Sequence, residues 1–341
     1  MKPSLLLYTI ERQVDVSSHV LLDANEHYKQ WVNIPTDILK RLHRYPDNSA
    51  TSLRMTLSQQ YCFPFSPNNL FICSGSIEGI DLLIHSLKPD RLYVSTPTYD
   101  VYAHRATIHG VTVVRVPFRK DGQPNTSILT KRNNVSDMIV LINPNNPTGD
   151  LVKSGTLKRI LNDFKGTIVI DEAYIEFAGL DKSLQNFAAK YPNVIILRTF
   201  SKAWGLAGVR LGYIIASTEI VKKLKIYQNP YSVNSVAIFA GECALEQKSG
   251  LEIEVANTLS RKAILIRKLE KSGVKVKDSS ANFITLDIAN AHKAYEYLKE
   301  RRVLTRPRPL IYGGSDCLRI TIGSESDLDL FEKLIKEAIY A

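Results

Sequence analysis

The sequence has 341 residues, which is enough to bury a large core and excludes a peptide hormone. Apolar residues make up 44% and charged residues 23%, both near the globular norm, and this composition excludes a fibrous repeat protein and a wholly disordered chain. Lys and Arg (44) outnumber Asp and Glu (34), but the basic residues are scattered and match no nucleic-acid signature, which favours a solvated basic surface. Four cysteines without CxxC spacing, no leader segment and no apolar run of the roughly 18–20 residues that cross a membrane predict reduced thiols in the cytoplasm.

Residues 1–44 carry few periodic signals, and we expect them to form an arm that packs on a smaller domain or on a partner subunit. Within residues 45–235, short apolar runs alternate with amphipathic stretches from about residue 68 onward, which is typical of βα units around a largely parallel sheet. This part is therefore predicted to be one large domain. Its seven predicted strands are 70–73, 91–94, 111–116, 138–142, 167–170, 194–197 and 211–215.

The pattern changes after residue 235. Long helical stretches at 236–247 and 251–271 precede two short strand candidates at 283–286 and 318–321, and a helix is predicted at 327–340. This order predicts a smaller α+β domain over residues 236–341. The expected fold class is α/β, with a seven-stranded, mostly parallel sheet in the large domain.

The segment TFSKAWGLAGVRLGY, residues 199–213, is the strongest local signal. It follows a predicted strand, so Lys202 would lie at the carboxyl end of the sheet, where open α/β sheets bind their ligands. The hydroxyls of Thr199 and Ser201 and the guanidinium of Arg210 could surround an anion. A lysine that is partly desolvated beside a cationic group can form an imine with a carbonyl, whereas a lone loop lysine is usually a solvated charge.

Three other loops also follow predicted strands. In VIDEAY, apolar residues run into Asp171, which indicates either a helix cap or a charge partner for a bound cation. NPNNPTG is either a rigid turn or a loop that holds the Asn146 amide toward a ligand. SGSIEG, residues 74–79, begins a predicted helix whose backbone N–H groups could bind phosphate. It does not match GxGxxG or a P-loop, which argues against a nucleotide site.

The segments SGxxEG, NPNNPTG, DEAY and TFSKAWGLAGVRLGY occur in this order and resemble those of the pyridoxal-phosphate enzymes with the aspartate aminotransferase fold, fold type I. DEAYIEF, LRTFSKAWGLAGVRLGY and CLRITIG most resemble the histidinol-phosphate aminotransferase branch. The resemblance covers roughly residues 22–334. It implies pyridoxal 5'-phosphate as the cofactor. It also implies transamination of L-histidinol phosphate with 2-oxoglutarate to imidazole-acetol phosphate and glutamate, in histidine biosynthesis.

The resemblance also implies roles for residues of a cofactor site. Lys202 resembles the lysine that forms a Schiff base with the cofactor and then moves the substrate proton, and Asp171 resembles the carboxylate that keeps the pyridine nitrogen protonated. Tyr174 and Asn146 resemble the pair that hydrogen-bonds the ring O3', and Tyr99 resembles the aromatic that stacks on the ring. The residues implied to hold the phosphate are Ser76, Ile77, Thr199, Ser201, Arg210 and, from the second subunit of a homodimer, Tyr45.

Three further residues are implied to bind the substrate. Arg319 resembles the anion clamp of the smaller domain, and its planar fork suits a carboxylate or a phosphate. Arg306 resembles a second arginine that binds the distal anion. Asn25 lies in a segment that resembles the one closing over the substrate in this family. The family usually continues this segment as Asn-Glu-Asn-Pro, whereas this chain reads NEHYKQW at residues 25–31.

Three functions remain open on the sequence. The first is transamination of histidinol phosphate. The second is the reaction of a threonine-phosphate decarboxylase or of an aromatic amino-acid aminotransferase. Decarboxylases and transaminases share the cofactor cradle, and they differ in which bond of the substrate carbon is held perpendicular to the cofactor ring. The third is a non-enzymatic nucleic-acid or regulatory binding protein that uses the net charge of +10. We favour the first because residues 171–174 and 200–206 closely match the motifs of that enzyme. We expect small-molecule substrates, no metal, no nucleic acid and no membrane.

Overall fold

Strands and helices alternate along most of the chain in the computed structural model, which describes residues 14–131, 134–308 and 316–340. The strands are β1 (Val20–Leu21), β2 (Leu70–Cys73), β3 (Arg91–Thr96), β4 (Thr112–Pro117), β5 (Met138–Ile142), β6 (Thr167–Asp171), β7 (Val194–Thr199), β8 (Gly212–Ile215), β9 (Lys275–Lys277), β10 (Phe283–Asp287), β11 (Val303–Leu304), β12 (Arg306–Arg308) and β13 (Cys317–Thr321).

The helices are mostly short connections, with longer ones toward the carboxyl end of the chain. They are α1 (Thr51–Gln60), α2 (Gly75–Leu87), α3 (Val101–Ile108), α4 (Thr126–Leu129), α5 (Ser154–Asp163), α6 (Ile175–Ala178), α7 (Gln185–Lys190), α8 (Thr218–Tyr227), α9 (Ser235–Glu246), α10 (Lys248–Lys271), α11 (Ala291–Glu300) and α12 (Glu325–Tyr340). In the described parts of the chain, none of them is both long enough and apolar enough to cross a membrane.

All seven strands predicted between residues 45 and 235 form one sheet, in the order β2-β8-β7-β6-β5-β3-β4. Strand β8 is antiparallel to both neighbours, and the other pairs are parallel. The predicted α/β fold class with a mostly parallel sheet is confirmed. Because parallel strands end at the same edge, the loops after β2, β5, β6 and β7 meet there.

Two hydrophobic clusters cover the two faces of this sheet. Ile168 and Ile170 of β6 belong to one cluster, and Val169 between them belongs to the other. Successive residues of a strand point to opposite faces, so a strand buried on both faces reads as a continuous apolar run. This is why the apolar runs of the sequence predicted these strands well.

The remaining strands form a four-stranded antiparallel sheet, β12-β13-β10-β9, and a two-stranded parallel pair, β1-β11. A third hydrophobic cluster joins this sheet to α10, α11 and α12. The sequence missed β1, β9, β11 and β12, because two or three residues are too few to show an alternating pattern. The boundaries at residues 44 and 235 stay predictions, and α9 contributes Ala237, Ala240 and Ala244 to a cluster of the large sheet.

Candidate active site

A cavity of about 320 Å³ lies where the loops after β2, β5, β6 and β7 meet the N-terminal segment and strands β12 and β13. Its size is within the roughly 300–1,000 Å³ of small-molecule sites. It brings together all the predicted site residues except Tyr45, namely Asn25, Ser76, Ile77, Tyr99, Asn146, Asp171, Tyr174, Thr199, Ser201, Lys202, Arg210, Arg306 and Arg319. The sequence analysis had not singled out the lining residues Asp23, Glu26 and Arg308.

Lys202 lies in the turn that follows β7, and its side chain is half-buried. Its amine donates a hydrogen bond of 2.9 Å to the carbonyl oxygen of Ala24 and lies 5.6 Å from the centre of the Tyr174 ring. One hydrogen bond to a neutral carbonyl leaves two of the amine's three donor positions for other partners. The amine is therefore held at the cavity wall and can react with a carbonyl ligand there.

Asp171 ends β6 and is only 3% exposed. Its carboxylate accepts hydrogen bonds from the Tyr102 hydroxyl, at 2.8 Å, and from the backbone N–H of Ala173, at 3.0 Å. Burial raises the pKa of this carboxyl to about 6, although these two hydrogen bonds act in the opposite direction. A buried carboxylate of this kind is stabilised by a cation placed next to it, and a protonated pyridine nitrogen is such a cation.

Polar side chains link the large sheet to the smaller one across the cavity. The Tyr174 hydroxyl accepts hydrogen bonds from the amides of Asn25, at 3.0 Å, and Asn146, at 3.3 Å. The Asn146 amide oxygen in turn accepts one from Arg319, at 2.8 Å. A hydroxyl that accepts two hydrogen bonds keeps its own hydrogen for an acceptor in the cavity. The Asn146 amide is thus directed at Tyr174 and Arg319. The NPNNPTG turn, residues 143–149, therefore positions a side chain at the cavity in addition to connecting two elements.

The cavity lining also includes groups that donate hydrogen bonds to anions. Helix α2 begins at Gly75, and the next two residues line the cavity. The Arg210 guanidinium lies so close to Gly75 that a Cβ at this position would collide with it, and Gly75 has a φ of +70°. The Thr199 hydroxyl donates to that of Ser201, at 2.9 Å, and Arg210 reaches Ser201 at 3.4 Å. A helix N-terminus, two hydroxyls and a guanidinium together suit a phosphate group.

The segment 23–31, here called the N-terminal strap, packs on the lysine loop. The indole N–H of Trp31 donates to the carbonyl of Ala203, at 3.0 Å, and its ring stacks on Trp204, with 6.0 Å between ring centres. The Lys29 amine forms an ion pair of 2.9 Å with Glu254 of α10. The unusual residues after Asn25 therefore attach the strap to both the lysine loop and the smaller sheet's longest helix.

Tyr45 does not line the cavity of its own chain. Its side chain is 81% exposed, and its ring stacks on that of Tyr231, with 4.5 Å between ring centres. One chain alone therefore does not bring this predicted residue to the others.

Two buried partners were missed by the sequence analysis because neither belongs to a local motif. The Tyr102 hydroxyl donates a hydrogen bond to Asp171, but in the sequence Tyr102 looks like a core residue of α3. Only the folded structure shows that Asp171 is the acceptor of this hydrogen bond. Arg198 of β7 is 1% exposed and forms an ion pair of 2.9 Å with Glu172, next to Asp171. An arginine in an apolar strand is a signal that could have predicted a buried acidic partner.

The geometry as a whole suits a flat, phosphorylated pyridine. Anion-binding groups, a buried carboxylate and a lysine amine that can bond to a carbonyl all line the same cavity. The absence of a Cβ at Gly75 is what leaves the Arg210 guanidinium room beside the start of α2. The residues present therefore fit pyridoxal phosphate. Among the residues that the structure describes, no group of acidic, histidine and cysteine side chains could hold a metal ion.

Comparisons with known proteins identify the family of this chain. The model of the family "Aminotransferase class I and II" matches residues 13–335. A histidinol-phosphate aminotransferase of Cytophaga hutchinsonii is 37% identical over 314 residues, which are 90% of this chain and 88% of that protein.

Two solved structures share the fold. The histidinol-phosphate aminotransferase from Clostridium acetobutylicum has a TM-score of 0.83 at 25% identity and covers 94% of this chain and 99% of its own. The enzyme of the same name from Sinorhizobium meliloti, solved in complex with pyridoxal-5'-phosphate, has a TM-score of 0.83 at 22% identity, with 94% and 91% covered. The family match extends over both sheets and over the loops that build the cavity. By this match and by the relative's identity, the chain belongs to the class I and II aminotransferases.

Proposed function

We propose that this aminotransferase uses pyridoxal 5'-phosphate to transfer the amino group of L-histidinol phosphate to 2-oxoglutarate, which yields imidazole-acetol phosphate and glutamate, in histidine biosynthesis. The observation that carries the proposal is a single cavity that holds the Lys202 amine, the Asp171 carboxylate and anion-binding groups at separate positions. The curated relative at 37% identity is named for this reaction.

The chain's own groups account for how the cofactor would be held. The start of α2, with Thr199, Ser201 and Arg210, would bind its phosphate, and Tyr99 would cover the ring. Asp171 would hold a proton at the ring nitrogen, because a cation beside it relieves the cost of a buried carboxylate. The Tyr174 hydroxyl would donate its hydrogen to the ring oxygen. When bound, the protonated pyridine ring supplies an acceptor for the electron pair left on the substrate carbon after deprotonation.

Lys202 would do the proton transfer. The Lys202 amine would hold the cofactor covalently, and once a substrate amine had taken its place the free Nζ would accept the proton from the substrate carbon as a base and donate it to the cofactor as an acid. Its hydrogen bond to the Ala24 carbonyl, at 2.9 Å, gives the released amine a defined position near the strap. The same residue thus acts as base and as acid without leaving the cavity.

Arg319 and Arg306 would bind the anion of either substrate. Histidinol phosphate carries a phosphate and no α-carboxylate, whereas glutamate carries two carboxylates. A guanidinium fork can bind both anion types with two parallel hydrogen bonds. One site can therefore alternate between the two substrates of the cycle.

The amine donor is tested with a panel of histidinol phosphate, phenylalanine and phosphothreonine, in assays of both the keto product and carbon dioxide. We expect kcat/KM to be highest for histidinol phosphate, with a keto product and no carbon dioxide. Carbon dioxide from phosphothreonine would instead identify a decarboxylase, and a preference for phenylalanine would identify an aromatic aminotransferase. A purified protein that showed no visible absorption band after incubation with pyridoxal phosphate would contradict all three.

We also propose that two copies of the chain form a homodimer in which Tyr45 donates a hydrogen bond to the cofactor phosphate of the other copy. Leu39, Leu42 and Tyr45 are 55%, 57% and 81% exposed in the single chain, and three exposed apolar side chains within residues 39–45 would suit a subunit interface. The family resemblance implies a role for Tyr45 at the cofactor phosphate of the second subunit, and its exposure in the single chain is compatible with that role.

Mixing two variants tests the shared site. Tyr45→Ala alone is expected to lower kcat/KM about tenfold or more, since a hydrogen bond to a charged phosphate is lost. A mixture of Tyr45→Ala with Lys202→Ala chains should regain activity, because one site of each mixed dimer then has both residues. Tyr191→Ala, at another exposed tyrosine, is the control and should behave as wild type. No regain after subunit exchange, with mixed dimers verified by mass, would contradict the shared site.

The cytoplasm is the proposed location. The four cysteines are all free and buried, and the disulfides that oxidising compartments favour are not formed.

Gly75→Ala is expected to weaken binding of the cofactor about tenfold or more, because the new Cβ would displace the Arg210 guanidinium and φ is +70° at this position. Gly155→Ala is the matched control, since a Cβ there meets no atom within 4 Å. Fluorescence titration of the apoprotein with pyridoxal phosphate measures the dissociation constant. Equal constants for the wild type and the Gly75→Ala variant would show that the start of α2 does not bind the phosphate.

A further inference from the structure

Strand β12 brings a third arginine, Arg308, into the cavity. In the antiparallel pair of β12 and β13, Arg306 lies opposite Arg319, and Arg308 lies opposite Cys317. Residues two apart on a strand point to the same face, and directly opposed residues share that face. The three guanidinium groups therefore belong to one face of the smaller sheet, the face that lines the cavity.

Arg319 lies directly opposite Arg306 in this group and is 3% exposed. Its Nη1 donates to the Asn146 amide oxygen, at 2.8 Å, and its Nη2 donates to the carbonyl of Asp23. Its Nε is buried and has no hydrogen-bond partner among the described residues. A buried, charged side chain with an unused donor at a cavity is a position where a ligand acceptor would be favourable.

The charge around Arg319 is also incompletely balanced. The cavity lining has five cationic side chains and three acidic ones, Asp23, Glu26 and Asp171. Burial, followed by the charges of Arg308 and Arg306, lowers the pKa of Arg319 to about 10. Cys317, opposite Arg308, is held as a neutral thiol, since burial raises its pKa to about 11. An anionic ligand would therefore be attracted by all three arginines.

We propose that Arg308 determines the preference of this site for a phosphate dianion over a carboxylate. The inference rests on the proposed function and adds a residue that the family resemblance did not supply. A carboxylate has one charge and two oxygens, which one guanidinium fork can bind. A phosphate monoester has three oxygens and close to two charges at pH 7, so a further guanidinium gains more from it than from a carboxylate.

The test compares the two substrates in Arg308→Gln, which keeps a polar side chain and removes the charge. We expect KM for histidinol phosphate to rise roughly 10- to 100-fold and KM for glutamate to change less than about threefold. Arg308→Lys should recover much of the loss, because it restores the charge. Arg267→Gln, at an exposed arginine of α10, is the control. Equal increases for both substrates, or no increase, would overturn the proposal.

A second arm does not depend on the natural substrate. Inorganic phosphate and acetate are measured as competitive inhibitors of the glutamate half-reaction of the holoenzyme between pH 5.5 and 7.5. As the pH rises and inorganic phosphate becomes a dianion, the wild type should bind it more tightly. Arg308→Gln should lose most of this pH dependence, and its inhibition by acetate should equal that of the wild type. If the wild type does not convert histidinol phosphate but shows this pattern, the proposed substrate fails and the role of Arg308 stands. A pH dependence that is the same in both proteins would overturn that role.

Discussion

Lys202→Ala is expected to lower the rate of transamination by about 10⁴-fold or more and to remove the visible absorption band of the bound cofactor. The change removes the only described amine that both lines the cavity and reaches the strap carbonyl of Ala24. The fold should survive, because the half-buried side chain makes one hydrogen bond, whose loss costs about 1 kcal/mol. Single-turnover kinetics, an absorption spectrum and urea unfolding measure the three quantities.

The matched control is Lys248→Ala. The Lys248 amine also donates to one backbone carbonyl, that of Gln60, at 3.4 Å, but it lies outside the cavity. This variant should keep wild-type turnover and nearly wild-type stability. Turnover by Lys202→Ala at close to the wild-type rate would show that the reacting amine belongs to another residue. A variant that no longer unfolds cooperatively would show that Lys202 has a structural role beyond its one hydrogen bond.

Asp171→Ala is expected to lower kcat roughly 10²- to 10³-fold and to weaken binding of the cofactor, because a charged group in a site that excludes water is lost. The truncation also leaves the Tyr102 hydroxyl without its acceptor, which costs about 1–3 kcal/mol of stability. Asp171→Asn separates the two effects, since its amide oxygen can still accept from Tyr102. If the charge is what matters, both variants should lose activity to a similar extent, and Asp171→Asn should lose less stability than Asp171→Ala, because its single amide oxygen can keep one of the two hydrogen bonds. Wild-type kinetics in the asparagine variant would contradict the role at the ring nitrogen.

The pH dependence of the apoprotein's stability tests the environment of the same carboxyl. Burial raises its pKa from 3.8 to about 6, so between these pH values the folded chain holds a proton that the unfolded chain has released. The contribution of Asp171 to stability is therefore present below pH 4 and is lost as the pH rises to 6, with a slope of up to about 1.4 kcal/mol per pH unit. Burial also raises the pKa of Glu176, to about 7, which adds a slope of the same sign.

The difference between the wild type and Asp171→Asn isolates the first contribution. Urea unfolding of the two apoproteins at several pH values between 4 and 6.5 should give a difference in unfolding free energy that changes across the window. In the holoprotein the wild type should lose this slope, because a cationic ring favours the ionised carboxylate. A difference that is constant with pH in the apoproteins would mean that Asp171 titrates near its ordinary value.

Local patterns were sufficient to predict the large sheet and the loops of the site. Most of its seven strands are short apolar runs, because burial on both faces makes such runs continuous, whereas the edge strand β4 is largely exposed. The loops with Asn146, Asp171 and Lys202 follow three of these strands, and parallel strands place such loops at one edge. The prediction that these residues meet therefore needed only the strand assignments. The roles that the family resemblance implied for them remain to be tested by the variants above.

The amino-acid sequence by itself determined the fold class, the family and the set of residues at the sheet edge, because these depend on patterns that are complete within a few consecutive residues. Only the tertiary structure revealed that Tyr102 holds Asp171, that the strap packs on the lysine loop and that Arg308 joins Arg306 and Arg319. These contacts join residues that are distant along the chain or lie on strands too short to show a pattern. Their energies come from burial and charge in three dimensions, which no local spacing encodes.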